Sequence, residues 1–214
     1  MSKTLTTLLT ETRDFLDEGT ADRFSDAELT RYINRGMRQV QSQIQAANED
    51  YFVRVETATA ATATYELAFP ADIWGNKLRS LQYYDNSTVA TGLPYRVEPA
   101  SIEDVYGGLN VSGIPALYAL HAGYLRWSPM LQNSGTFRFI YAMKETELTS
   151  GSQAILQIAD EHTDCIAMFA AILAKTKISA PVKDLYDLYT LRMNQIMSDV
   201  TPSDPIRVRH QAID

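Results

Sequence analysis

A chain of 214 residues that is 45% hydrophobic can bury a core of its own, and its one cysteine, Cys165, excludes an internal disulfide. The net charge is −7 and the pI is near 5.0, with 19 Lys and Arg scattered along the chain, so the basic clusters that neutralise nucleic-acid phosphates are missing. The longest apolar run, Cys165 to Ala174, is far short of the roughly 20 residues that cross a bilayer, and no leader core follows Met1-Ser2-Lys3-Thr4; a soluble, unanchored protein is expected.

The first region, to about Asn48, reads as two helices. Leu5, Leu8, Leu9, Phe15 and Leu16 recur at helical spacing, and Gly19-Thr20 ends the first helix. Ser25 with Glu28 three residues on forms a capping box, flanked by Phe24 and Leu29 as a hydrophobic staple. Leu29, Tyr32, Ile33, Met37, Val40 and Ile44 then make one apolar stripe, with Arg31, Arg35 and Arg38 off it.

From about Tyr51 the period changes to two. Phe52 to Val55 alternates, and the Ala/Thr stretch Thr57 to Thr64 reads as an exposed hairpin, because its small residues bury little. Tyr65-Glu66-Leu67 runs to a stop at Pro70, and Leu78 to Tyr84 is a strand. Asp85-Asn86-Ser87 is a turn leading to a short strand near Val89. Ser101 caps a helical turn that Gly107-Gly108 ends. Ala116 to Leu120 and Tyr124 to Trp127 form a hairpin about His121-Ala122-Gly123, and Thr136 to Ala142 is a further strand.

The last region is helical again. Asp160, Glu161 and Asp164 occupy a first turn, and Ile166, Phe169, Ala170 and Leu173 follow. Pro181 opens a second helix to about Val200, with Leu185, Leu188, Tyr189, Met193, Ile196 and Val200 on one face. Pro202 and Pro205 then forbid helix. The order predicts an α+β fold: a four-helix bundle from the N- and C-terminal helix pairs (1–50 and 150–200), an inserted small antiparallel β sandwich or barrel module (51–149), and an extended C-terminal tail (201–214).

Little in the sequence points to chemistry. Glu161, His162, Asp164 and Cys165 are the one group dense in metal-ligand types, but there is no second cysteine, and His121 and His210 lie in a turn and the tail. An acidic first turn followed by a buried thiol is the favoured reading. The run Asp14, Asp17, Glu18, Asp22, Asp26 reads as solvated helix ends. Phosphate-loop and nucleophile-elbow spacings are absent. No catalytic, cofactor or metal residue is expected. Tyr83, Tyr84, Tyr95, Tyr106, Tyr118, Tyr124, Trp127 and Tyr141 concentrate in the β region; most are expected in its core and some at interfaces.

Four stretches together resemble the head-to-tail adaptor (connector) proteins of short-tailed bacteriophages, the tail tubular protein A type. They are Phe24-Ser25-Asp26-Ala27-Glu28-Leu29-Thr30-Arg31-Tyr32-Ile33-Asn34, Tyr65-Glu66-Leu67-Ala68-Phe69-Pro70-Ala71-Asp72, Gly113 to Leu120 with the return Leu125 to Pro129, and Phe137 to Tyr141 followed by Asp160-Glu161-His162. Ala68-Phe69 before the proline departs from the family pattern. The resemblance implies a structural virion protein without cofactor, assembled in the host cytoplasm into a homo-oligomeric ring of about twelve copies. It implies a place beneath the portal protein, joining it to the tail nozzle or fibres, with DNA passing through the channel during ejection. The tail is a candidate portal-binding arm, with Ile206, Val208 and Ile213 as apolar anchors beside Arg207 and Arg209. Alternatives are a tail completion or stopper protein of the same junction, a virion-associated hydrolase, and a nucleic-acid-binding regulator disfavoured by the acidic charge.

Overall fold

The computed structural model describes residues 3–18, 23–85, 93–155 and 157–201. The break at Gly19-Thr20, the strand near Val89 and the tail beyond Thr201 lie outside them. Contacts divide the chain into two units, Met1–Tyr51 with Glu145–Asp214, and Phe52–Lys144.

In the first unit, α1 (Leu5–Leu16) is capped by the Thr4 hydroxyl, which accepts from the Thr7 N–H. Helix α2 (Asp26–Ala47) is capped by Ser25, whose Oγ accepts from the Glu28 N–H at 3.3 Å. The staple forms: Phe24 and Leu29 are buried together against Ala174. The reciprocal half of the box does not. The Glu28 carboxylate instead accepts from Lys177 at 2.5 Å and from the Tyr32 hydroxyl at 3.0 Å. The Lys177 ammonium, then Tyr32, hold Glu28 below the usual carboxylate range.

Helix α4 (Asp164–Lys177) is apolar nearly all round, with Cys165, Ile166, Ala167, Ala170, Ala171 and Ala174 buried, because it packs on α1, α2 and α5 (Lys183–Val200). Its small residues allow close approach. A Cβ on Gly36 of α2 would lie 2.8 Å from the Ile166 carbonyl oxygen, so only glycine permits this α2–α4 crossing. Asp160–His162 forms a separate 3₁₀ turn rather than the first turn of α4. After the β unit the chain returns along α1: the Leu5 N–H donates to the Gln153 carbonyl at 2.9 Å and the Thr6 N–H to that of Gly151 at 3.1 Å.

The second unit holds β1 (Val53–Ala60), β2 (Glu66–Ala68), β3 (Ile73–Asp85), β4 (Tyr95–Pro99), α3 (Ile102–Gly107), β5 (Ser112–Gly113), β6 (Leu117–His121), β7 (Tyr124–Ser128), β8 (Met130–Leu131) and β9 (Gly135–Met143). Seven strands form one sheet in the order β1-β9-β3-β4-β6-β7-β2, antiparallel except for a parallel β4–β6 pair; β5 and β8 pair separately. The sheet curls until distant strands face each other. Trp127 on β7 stacks 4.4 Å from Phe137 on β9, though four strand-to-strand steps separate β7 from β9 in that order. Inward residues of β9 alternate as the pleat requires: Phe137, Phe139 and Tyr141 are all buried. The β6–β7 hairpin closes on Ala122 and Gly123, both at positive φ, the twist that suits a two-residue turn.

The expected four-helix bundle with a small antiparallel module is therefore corrected to an α+β fold that has, among the described residues, five α-helices and a nearly closed, mixed seven-stranded sheet. The fifth helix, α3, belongs to the β unit, where it packs on β6 and β7. The Ala/Thr stretch is not a hairpin: β1 pairs with β9 from Val53–Ala142 to Ala60–Gly135, and β2 pairs with β7. Its small, β-branched side chains bury little individually, but the ladder to β9 satisfies the backbone along the strand.

Candidate functional site

The group with the most ligand-type side chains is a structural clasp. Arg192 of α5 donates from Nε to Asp164 Oδ2 at 2.9 Å and from Nη2 to the Glu161 carbonyl at 3.1 Å, tying α5 to the start of α4. Cys165 is fully buried, and burial pushes its thiol up to about 12, so it stays protonated and unreactive near neutrality. His162 is buried with Nε2 3.9 Å from Asp199, and its Nδ1 has no partner among the described residues. Among the described residues no three His, Cys, Asp or Glu side chains converge on a metal position. Of the acidic run, Glu18 and Asp26 both accept from Arg13, which also donates to the Phe24 carbonyl and so pins the start of α2. No helix among the described residues is long and apolar enough to cross a membrane.

Two surfaces of the helical unit have the character of contact faces. The first is a groove of about 790 Å³ between α1, α2 and the segment 147–151. Leu5, Leu9 and Leu148 form its floor, and exposed Thr10, Ala27 and Arg31 line its rim. Its far wall is held from α2. Buried Asn34 donates from Nδ2 to the Leu148 carbonyl at 2.9 Å and accepts from the Leu148 N–H at 2.8 Å, and Gln41 Oε1 accepts from the Glu145 N–H at 3.1 Å. Along the open side of α2, Arg31, Arg35 and Arg38 follow at i, i+4 and i+7, all exposed. Arg38 pairs with Glu147 at 2.8 Å.

The second is the outer face of α5. Leu188 and Leu191 are 44% and 59% exposed, flanked by exposed Asp184 and Gln195 at the same i, i+4, i+7, i+11 spacing. The helical period groups Leu188 with Tyr189 and Met193, but α5 buries Tyr189, Met193, Ile196 and Val200 and turns Leu188 outward. A helix apolar on both flanks defeats a one-face reading: one flank is buried and the other leaves Leu188 and Leu191 in solvent.

In the β unit, Tyr83, Tyr118, Trp127 and Tyr141 are buried, while Tyr95, Tyr106 and Tyr124 are exposed. Arg126 stacks over the Tyr106 ring at 5.3 Å and bonds Glu66 at 3.1 Å. The anchors read from the tail, Ile206, Arg207, Val208, Arg209 and Ile213, lie outside the described residues.

A protein-family model described as SU10 adaptor protein matches residues 3–209, nearly the whole chain. No curated protein matches it.

Proposed function

We propose, from the premise that the chain belongs to the SU10 adaptor protein family, a family of phage head-to-tail adaptors, that it is a structural virion protein that forms a ring of about twelve copies beneath the portal. The ring joins the portal to the tail nozzle or fibres and forms part of the channel through which DNA leaves. The observation that carries the reading is a family match running from one end of the chain to the other, which covers helices, sheet and connections alike rather than one motif. The charge of −7 supports the channel role, because acidic walls repel phosphates and let DNA slide without sticking. Electron microscopy of the purified protein with and without its portal tests this: rings on the portal are expected, and a protein that neither rings nor binds the portal overturns it.

Portal docking is assigned to the segment 201–214. In sequence it alternates Ile206, Val208 with Arg207, Arg209 and ends near Ile213, a pattern that suits an extended arm seated in a groove or added to a sheet edge. Deleting 201–214 is expected to lower portal binding at least tenfold while leaving the helical unit folded by circular dichroism. Undiminished portal binding removes the tail from the docking site.

A further inference from the structure

The helical unit carries an exposed apolar ridge on α5 and a polar-rimmed groove beside α1 and α2. Helices α1 and α5 each pack on both α2 and α4 and far less, if at all, on one another, which sets them on opposite flanks of the α2–α4 pair. The groove lies on the α1 side of that pair and the outer face of α5 on the other. A surface and its complement on opposite flanks of one subunit is the requirement for a heterologous, head-to-tail contact that propagates from copy to copy and closes when the rotation allows.

The two faces also match in chemistry. Asp184, Leu188, Leu191 and Gln195 occupy one line along α5, a span of about 16 Å. The Asp184 carboxylate makes no hydrogen bond or ion pair among the described residues, although its neighbour Asp187 is held by Lys183 at 2.7 Å. The groove offers half-buried Leu9 and exposed Ala27, over buried Leu5 and Leu148, and on its α2 rim Arg31, whose side chain makes no hydrogen bond or ion pair among the described residues. The ridge thus carries an unpaired carboxylate beside two exposed leucines, and the groove an unpaired guanidinium beside Leu9 and Ala27. A shallow trough rimmed by exposed side chains suits a helix better than a small molecule, which is held in a pocket that buries most of its surface.

We propose that the outer face of α5 in one copy seats in the α1–α2 groove of the next, with Leu188 and Leu191 over Leu9 and Ala27 and Asp184 against Arg31. The occupant is a second copy of this chain. This rests on the ring reading above and names the lateral junction within that ring.

The geometry makes a sharp demand on mixtures. Take the full chain in two variants: a ridge variant, Leu188→Glu with Leu191→Glu, and a groove variant, Ala27→Glu with Arg31→Glu. All four positions are exposed or on the rim, so both variants should keep the wild-type circular dichroism melt. Wild-type protein carrying a tag should capture untagged wild type at high concentration. Each variant should capture its own kind at least tenfold less. The tagged ridge variant should still capture the untagged groove variant, because that pair retains one intact junction, and sedimentation should show it stopping at a dimer. Self-capture by the ridge variant at the wild-type level, failure of the mixed pair, or no wild-type self-capture overturns the proposal. Portal binding, read separately, tells that failure from failure of the adaptor reading: the ridge variant retains its tail and should still bind the portal as single copies.

Discussion

Trp127→Ala is expected to cost the β unit about 3–5 kcal/mol, the range for truncating a large buried aromatic. The side chain is 0% exposed, and its ring lies 4.4 Å from Phe137, which in turn lies 5.2 Å from Tyr83. Tyr83 on β3 and Phe137 on β9 are opposite each other in one antiparallel pair, and Trp127 reaches them from β7, which is hydrogen-bonded to neither strand, so the cluster bridges the interior of the curled sheet. Removing its largest member leaves a cavity that the nearly closed sheet cannot collapse around. Trp127→Phe should recover more than half of the loss. Phenylalanine refills most of the space, and the indole N–H it removes has no acceptor among the described residues, so no hydrogen bond is lost. Denaturant unfolding followed by tyrosine and tryptophan fluorescence and by circular dichroism measures both variants. A Trp127→Ala loss below about 1 kcal/mol would mean that the sheet is not closed around this cluster.

That cluster marks the boundary of what the residues alone disclose. The hairpin at Ala122-Gly123, the cap at Ser25, the staple of Phe24 on Leu29 and the period-two run from Phe137 to Tyr141 are local: each rests on residues within five positions of one another, so the sequence carries them openly. Which strand lies beside which is not local. The parallel pairing of β4 with β6 and the seating of β1 on β9 join residues tens of positions apart, and nothing in Val53–Ala60 distinguishes an edge strand from a hairpin arm. The closed form of the sheet, and so the correction to the expected small antiparallel module, follows from those pairings.

The contact faces were hidden for the same reason. Leu188 has the same composition and spacing whether it faces α4 or solvent, and only the packing angle of α5 turns it outward. The groove needs Leu148, supplied from beyond the whole β unit, beside Leu5 and Leu9. By spacing Leu188 groups with Tyr189 and Met193 on one face, and Leu191 stands outside that set, so the second apolar face of α5 emerges only from the packing. Conversely, the cluster Glu161 to Cys165 stood out by composition, and the fold uses it to clasp α5 to α4.

Asn34→Ala should therefore disturb function more than its single amide implies. Asn34 is buried on α2 and satisfies both the N–H and the C=O of Leu148, two backbone groups on the wall of the groove. Stripping both partners leaves a buried donor and a buried acceptor unmet, a loss of about 2–4 kcal/mol in total. Arg38–Glu147 cannot hold the wall in their place, since both side chains are more than half exposed and such pairs contribute little. Asn34→Leu separates the two explanations. It keeps the volume and removes the hydrogen bonds, so it should lose as much as alanine if the bonds hold the segment, and far less if packing does. Hydrogen exchange at the Leu148 N–H reads the local effect directly: protection should fall in both variants while the α4 amides stay protected. With the wall loosened, capture of one copy by another should weaken several-fold, although every residue of the ridge and of the arginine rim is unchanged. Exchange at Leu148 that stays at the wild-type rate in both variants would show that the groove wall is held by something other than Asn34.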